Sequence, residues 1–333
     1  MATTKRSRSR VALPKFAEPM KARLVERPPP GEWLYEVKLD GFRALALLGG
    51  SETKLVSRND NDFATRFPEV VEALESFEPR DTILDGEVVA LLPDGRSSFG
   101  LLADRDGNDA PRVFYVFDVL RYAGRDVTEL PIEMRKEILA AHRTNTGLIR
   151  LSEALDAPYE RLIAEARKLG LEGLIGKKKG SGYEVGKRTG TWVKLKLLNE
   201  QELVIGGYTD PTGSRSGLGA LLVGAYDGKE LRYAGKVGSG YTAKTLRELA
   251  AQLGALERKT CPFADLPELP KPGAHGTRMT KSEMKKVHWV SPTLVAQVRF
   301  TEWTRDGHLR HPVYLGLRPD KNPKDVVRET PDR

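Results

Sequence analysis

Residues 34–48 constrain this chain more tightly than any other stretch. Leu34-Tyr-Glu-Val-Lys-Leu39 is followed by Asp40-Gly41 and then by the apolar run Phe42-Arg-Ala-Leu-Ala-Leu-Leu48. Two such runs about an Asp-Gly pair predict strand, turn, strand. Residues two apart on a strand share a face. Glu36, Lys38 and Asp40 therefore point the same way, and the turn brings Arg43 back beside them. A lysine between two carboxylates is, by itself, as consistent with a surface ion pair as with a reactive amine.

Patterning extends this reading along the chain. Phe67, Val70, Val71 and Leu74 at helical spacing predict a helix over about 66–77. Ile83-Leu84 and residues 88–91 read as two strands flanking a tight turn at Asp85-Gly86-Glu87, and 113–120 reads as a buried strand. Helices are expected near 131–143 and 157–169, and strands at Ile175 and over 192–197. Beyond Asn199 the text becomes short strands with glycine turns, including a hairpin turn at Asp227-Gly228. One helix near 242–256 carries Leu246, Leu249, Leu253 and Leu256. A loop rich in proline and glycine over about 262–276 precedes two or three closing strands over 287–317. Strands interrupted by one helix outline an OB-type barrel. The expected class is α+β. A first domain of mixed, largely antiparallel sheets with helices spans 13–199, and an all-β OB-fold barrel spans 200–325. A basic disordered tail at 1–12 and a C-terminal tail at 326–333 flank them, with the boundary between domains at about 198–202.

At 333 residues the chain suffices for two domains with cores of their own. Lys and Arg number 54 against 46 Asp and Glu, a surplus of 8. A surplus of that size is compatible with a polyanionic partner, and equally with a protein that is merely basic. Cys261 is the only cysteine, which excludes disulfides within the chain and a four-cysteine zinc site. It fits a reducing compartment, the cytosol. No apolar run approaches the ~20 residues that span a bilayer, so no membrane role is expected. The start, with Lys5, Arg6, Arg8 and Arg10, lacks the apolar stretch of a secretory signal.

Further short motifs follow in order. Ser57-Arg58-Asn59-Asp60 precedes Phe67-Pro68-Glu69; Asp85-Gly86-Glu87 precedes Phe117-Asp118; Glu172-Gly173 opens a lysine-rich segment. Trp192-Val-Lys194-Leu-Lys196 places two lysines on one strand face, and Arg318-Pro-Asp320-Lys321 stands near the end. Each is weak alone; their order and spacing together are specific. The set resembles the nucleotidyltransferase superfamily of ATP-dependent DNA ligases and mRNA capping enzymes, from about Pro14 to Lys321. It is most similar to the ligase module of bacterial end-joining ligases. Residues 35–44, Val204-Ile-Gly-Gly-Tyr-Thr209 with 213–217, and 302–312 carry that likeness. With no room for the further modules of such enzymes, the chain is expected to be a stand-alone ligase or an excised module.

The resemblance implies that Lys38 attacks the ATP α-phosphate and carries AMP, which then passes to the 5′ end of a break in duplex DNA. An ordinary lysine has a pKa of ~10.4. The expectation is that Lys194, Lys196 and a divalent metal, Mg2+ or Mn2+, lower it and stabilise phosphate charge. Glu172 and then Glu87 are the expected metal ligands, Glu87 having ribose as an alternative. By resemblance Phe117 stacks on adenine, Glu36 contacts it, and Arg43 and Arg58 reach ribose and phosphates. Asp40 positions Lys38 or a metal-bound water. Arg188 either touches phosphate or sits in a solvated loop. Arg318 and Lys321 are expected to fold over the ATP β- and γ-phosphates during charging alone, about a hinge near 198–202. Asp118 is expected to be structural, His308 and His311 structural or DNA-facing, and Arg215 a DNA contact. The expected partners are duplex DNA with nicks or ends and a Ku-type end-binding protein, the ligase itself being monomeric. Three alternatives stand beside this reading: a capping-type guanylyltransferase, an RNA ligase, and a non-catalytic nucleic-acid-binding protein on a ligase scaffold. An NAD-dependent ligase is disfavoured, since such enzymes carry the zinc site that one cysteine cannot build.

Overall fold

The computed structural model describes residues 11–104, 108–141, 147–211, 217–265, 284 and 286–331. The chain forms two compact units that divide between Leu198 and Asn199, the second running to Glu329.

The first unit holds β1 (Arg23–Leu24), β2 (Trp33–Val37), β3 (Phe42–Leu48), β4 (Thr53–Ser57), α1 (Pro68–Glu75), β5 (Thr82–Ala90), α2 (Phe99–Ala103), β6 (Arg112–Tyr122) and β7 (Arg125–Asp126). It continues with α3 (Ile132–Ala141), β8 (Ile149–Leu151), α4 (Tyr159–Lys168), β9 (Gly173–Lys178) and β10 (Trp192–Lys196). Two sheets result. One has the order β1-β10-β9-β2; the other has β4-β3-β5-β6-β7, with β8 beside β6. The strand, turn, strand expected over 34–48 forms, but β2 and β3 do not pair. β2 lies against β9 and β3 lies between β4 and β5, so the Asp40-Gly41 turn carries the chain from one sheet to the other. Alternation then decides what faces the gap. Leu45, Leu47 and Ile83 pack with Trp192 and Tyr183 between the sheets. Val193 and Leu195 turn the other way, onto Ile163 and Ala166 of α4.

Asp85-Gly86-Glu87 is not a turn. It lies inside the single nine-residue strand β5. A Cβ on Gly86 would meet the Phe114 ring and the Tyr115 carbonyl oxygen, each at 2.5 Å. Glycine is there for close approach to β6, at a break in register between Asp85 and Gly86. Asp118 on β6 is fully buried with Arg135 of α3. Nε and Nη2 reach the two carboxylate oxygens at 2.7 and 3.0 Å, and Nη1 donates to the carbonyls of Leu130 and Ser181. The expected structural role of Asp118 matches this geometry.

The second unit comprises β11 (Glu200–Thr209), β12 (Leu221–Asp227), β13 (Glu230–Val237), α5 (Ala243–Gly254), β14 (Phe263–Asp265), β15 (Val287–Trp289), β16 (Val295–Arg299), β17 (Glu302–Trp303), β18 (Leu309–Arg310) and β19 (Val313–Leu317). Its main sheet has the order β14-β13-β12-β11-β16-β19, with β15 also on β11. β11 bends at a bulge between Ile205 and Gly207 and pairs with three strands, which curls the sheet into the OB-type half barrel. The Thr242 hydroxyl caps α5 by accepting from the Thr245 N–H. Leu246, Leu249 and Leu253 close the barrel on Leu203, Ile205, Val223 and Val298. The hairpin turn falls one residue later than expected, at Gly228-Lys229, with Gly228 at φ +60°.

Two expectations are corrected at the edges. Residues 326–329 are not a tail: Val326 is buried in the barrel core, its carbonyl accepts from Tyr226 N–H, and Gln201 bonds the backbone of Val327 and Glu329. The segment read as loop from 262 begins with β14, which pairs in parallel with β13. The tail at 1–10, Arg215 in its glycine loop, and residues 266–276 lie outside the described residues; Val11, at the end of the expected tail, is bonded by Gly50 N–H. No helix among the described residues is long and apolar enough to cross a membrane.

The buried Arg135–Asp118 pair gives a direct expectation. Arg135→Met would leave an uncompensated carboxylate in the core and cost the first unit about 3–5 kcal/mol. Urea unfolding should show the loss; an unchanged midpoint would mean that the pair contributes little.

Candidate active site

β2 ends at Val37, but the backbone of Lys38 remains tied to β9 through N–H donation to the Gly173 carbonyl at 2.9 Å. Gly173 leaves no space for a side chain, since a Cβ would lie 2.0 Å from the Leu195 carbonyl oxygen. That close approach sets Glu172, just before β9, opposite Lys38. Lys38 Nζ reaches Glu172 Oε1 at 2.5 Å, with the two side chains 18% and 6% exposed. The other oxygen, Oε2, is buried without a hydrogen-bond partner.

Beside this pair is a cavity of about 120 Å³ between the two sheets. Lys38, Glu36, Arg43, Glu87, Phe117, Lys177 and Trp192 line it together with four apolar residues. Phe117 and Trp192 meet edge to face at 6.0 Å. The Arg43 guanidinium lies 5.4 Å from the Phe117 ring and 5.5 Å from that of Trp192. Arg43 is fixed there by Asp85, whose oxygens accept at 3.0 and 2.6 Å, and by the Met20 carbonyl at 2.6 Å. The Tyr183 hydroxyl donates to the same Asp85 at 2.6 Å.

This is a lysine beside an aromatic-walled slot, with two carboxylates and an arginine around it. Residues 14–196 match the model of the ATP dependent DNA ligase domain, and residues 214–321 match that of the ATP dependent DNA ligase C terminal region. The chain belongs to the ATP-dependent DNA ligases. It is 38% identical to the multifunctional non-homologous end joining protein LigD of Pseudomonas aeruginosa, over 98% of this chain and 38% of that protein. The non-homologous end joining DNA repair protein LigD of Mycobacterium tuberculosis is 37% identical over 90% of this chain and 38% of its own length. The ligase thus spans about two-fifths of these relatives. A solved structure of mycobacterial DNA ligase D complexed with ATP and MES superposes with a TM-score of 0.65, at 33% identity, covering 92% of this chain and 98% of that one. The match across both units supports the expected fold and does not favour the capping, RNA-ligase or non-catalytic alternatives.

The carboxylates around Lys38 govern its electrostatics in the absence of metal and nucleotide. Burial pushes its pKa down, but Glu172, Asp40 and Glu87 outweigh burial and hold it well above the usual lysine range. Lys194 and Lys196 lie opposite Ile175 and Gly173 in the β9–β10 register and share the strand face of Trp192. They do not line the cavity.

Asp40 lies away from the cavity lining, its N–H on the Ser97 hydroxyl and its carboxylate accepting from Phe99 N–H at the start of α2. Glu36 lines the cavity but is ion-paired with Lys136 and Lys177. Arg58 stands in the turn after β4 and Arg188 in an exposed loop; neither lines the cavity. Arg318 is buried in the second unit, its Nε and Nη2 each 2.8 Å from Asp320, and Lys321 pairs with Glu202 at 2.7 Å. They are folded into the barrel rather than solvated. His308 packs against Tyr233, and His311 lies near Thr301. Asp85, Tyr183, Lys136 and Lys177 were not legible as site residues. Asp85 stands inside an apparent turn, and no motif marks Lys136 or Tyr183.

Glu172 fits a divalent cation in one respect: its Oε2 is buried without a hydrogen-bond partner, on the carboxylate that pairs with Lys38 through Oε1. Mg2+ takes one or two carboxylates and completes its shell with substrate phosphates and water. No group of three or more His, Cys, Asp or Glu side chains suited to a metal occurs among the described residues.

Glu172→Gln should lower the Lys38 pKa, because it removes the nearest charge that raises it. At pH 8–9, without nucleotide, Lys38 should then react faster with an amine-directed reagent than in the wild type. Equal rates, read by peptide mass spectrometry, would show that Glu172 does not hold the proton.

Proposed function

We propose that this ligase seals breaks in duplex DNA by carrying AMP on Lys38. The observation that carries the reading is the Lys38–Glu172 contact beside a slot walled by Phe117 and Trp192. A planar base suits such walls. Lys38 Nζ attacks the α-phosphorus of ATP, the bond to the bridging oxygen breaks, and pyrophosphate leaves. The ammonium must first give up a proton to solvent, which a divalent cation held beside it would favour. The AMP then passes to a 5′-phosphate at the break, and attack by the 3′-hydroxyl seals the strand and releases AMP.

Glu172 and Glu87 would hold the divalent metal, Mg2+ or Mn2+, which when bound neutralises charge on the phosphates. Arg43 is held by Asp85 and Tyr183 in a fixed orientation at the cavity wall, where it faces ribose or phosphate without reorganisation. Lys194 and Lys196 supply positive charge on the strand beside Glu172. Arg58 and Arg188 are assigned to nucleotide phosphates, and Asp40 to positioning Lys38. Arg318 and Lys321 are assigned to the β- and γ-phosphates during charging. Basic side chains of both units grip the DNA backbone, so binding should weaken steeply with salt. The curated relatives are named for non-homologous end joining. We extend that role to this chain, with duplex ends as substrate and a Ku-type end-binding protein as partner in the bacterial cytosol.

Incubation of a nicked duplex with ATP and Mg2+ or Mn2+ should yield the sealed strand, and Lys38→Ala should abolish it. Sealing with GTP but not ATP, or wild-type sealing by Lys38→Ala, would overturn the reading. Lys321→Ala should slow charging of Lys38 at least ~10-fold while sparing a nick already bearing 5′-AMP, since it removes an interaction made in one step alone. Equal losses in both assays would remove the charging-only assignment.

A further inference from the structure

One face of the barrel unit gathers two cations and two carboxylates. β11 carries Glu202, β16 carries Gln297 opposite it in register, and the chain leaves β19 into Arg318-Pro-Asp320-Lys321. The Arg318 N–H donates to the Val295 carbonyl at 2.8 Å, and the Lys321 N–H donates back to the Arg318 carbonyl at 3.2 Å. This turn brings both cations to Glu202, whose Oε1 lies 2.7 Å from Lys321 Nζ and 3.6 Å from Arg318 Nη1. Glu202 and Asp320 thus balance one guanidinium and one ammonium.

The two cations are not held alike. Arg318 is buried and gripped by Asp320 through two contacts of 2.8 Å, with the Gln297 amide oxygen 3.5 Å from Nη1. A bidentate pair of this kind fixes the guanidinium in position and in plane. Lys321 meets Glu202 through a compact ammonium on a flexible four-carbon stem, and the two side chains are 16% and 21% exposed. Such an ammonium can exchange one anionic acceptor for another while the turn that carries it stays in place. Arg318 is the fixed cation of the motif, and Lys321 is the transferable one.

A charging role for Lys321 sets the Glu202 carboxylate in competition with the phosphates. Both offer anionic oxygens to the same ammonium. A ligand that needs a form present only as a fraction of the whole binds more weakly by that fraction. We propose that Glu202 is a positioning residue for the charging step: it is the resting counter-ion of Lys321, loosens the hold on the β- and γ-phosphates, and takes the lysine back as pyrophosphate leaves. The proposal rests on the assignment of Lys321 to those phosphates. Glu200, two residues earlier on the same strand face, is engaged elsewhere, with Arg299 at 2.6 Å.

The test is the reverse reaction in the full chain. Protein charged on Lys38 is mixed with inorganic pyrophosphate and Mg2+. A pyrophosphate oxygen attacks the phosphorus of the bound AMP, the phosphorus–nitrogen bond breaks, ATP forms again, and the lysine nitrogen takes up protons from solvent. The pyrophosphate concentration giving half the maximal discharge rate should fall about fivefold in Glu202→Gln, the worth of one partly exposed ion pair. KM for ATP in the forward direction should fall by a similar factor. In Lys321→Ala the half-maximal concentration should rise, and adding Glu202→Gln to that variant should shift it no further. A half-maximal concentration does not depend on how much of the protein is folded, so a merely structural Glu202 would lower the amplitude of discharge and leave that concentration where it was. Glu202→Ala takes the place of Glu202→Gln should the latter fail to fold. An unchanged or raised concentration in the folded Glu202 variant, or an equal shift when Lys321 is absent, overturns the proposal. An unchanged concentration in Lys321→Ala overturns instead the underlying assignment of Lys321 to the leaving phosphates.

Discussion

The contact between Lys38 and Glu172 is the constraint on which the rest of the first unit depends. Lys38 lies where the chain leaves one sheet for the other, and Glu172 lies just before the strand that pairs with β2. For the two to meet at 2.5 Å, β9 must begin hard against β10, which Gly173 alone permits. A salt bridge this buried is costly to break, about 3–5 kcal/mol when one partner is lost. The same contact favours the protonated form of the lysine.

Charged groups stand in and beneath the gap between the two sheets beside the apolar packing. Arg43–Asp85 and Glu36 with its two lysines line or underlie the gap, and Arg135–Asp118 anchors α3 to the wall that carries Phe117. Each is a donor that an ordinary hydrophobic core would not need. In a low-dielectric gap, fixed dipoles and ions act strongly on a charged ligand and do not have to reorganise when it arrives. The geometry favours pre-organisation over induced assembly within this unit.

The fold was largely legible because its signals are local. Alternation about Asp40-Gly41 gave β2 and β3, and helical spacing of Leu246, Leu249 and Leu253 gave the barrel helix. What failed was tertiary in origin. Nothing local says that β2 and β3 belong to different sheets. Gly86 is followed by a glutamate as in many turns, yet it serves the Phe114 ring packed on it. The approach of Glu172 to Lys38 is hidden for a similar reason: the lysines of β10 are visible in sequence, while that approach depends on strand register. Lys136 belongs to the same class, since a lysine on a helix announces itself as solvated until the helix docks. The Arg318–Asp320 pair belongs there too: the motif shows the charges, and only the barrel shows the bidentate grip between them.

The central claim is that Lys38, among several lysines gathered near one cavity, is the residue that forms the bond to AMP. Charging the protein with ATP and a divalent metal, digesting it, and locating the nucleotide by tandem mass spectrometry tests it most directly. The account predicts an AMP adduct on the peptide containing Lys38. An adduct on Lys177, Lys194 or Lys196 with Lys38 unmodified would contradict it.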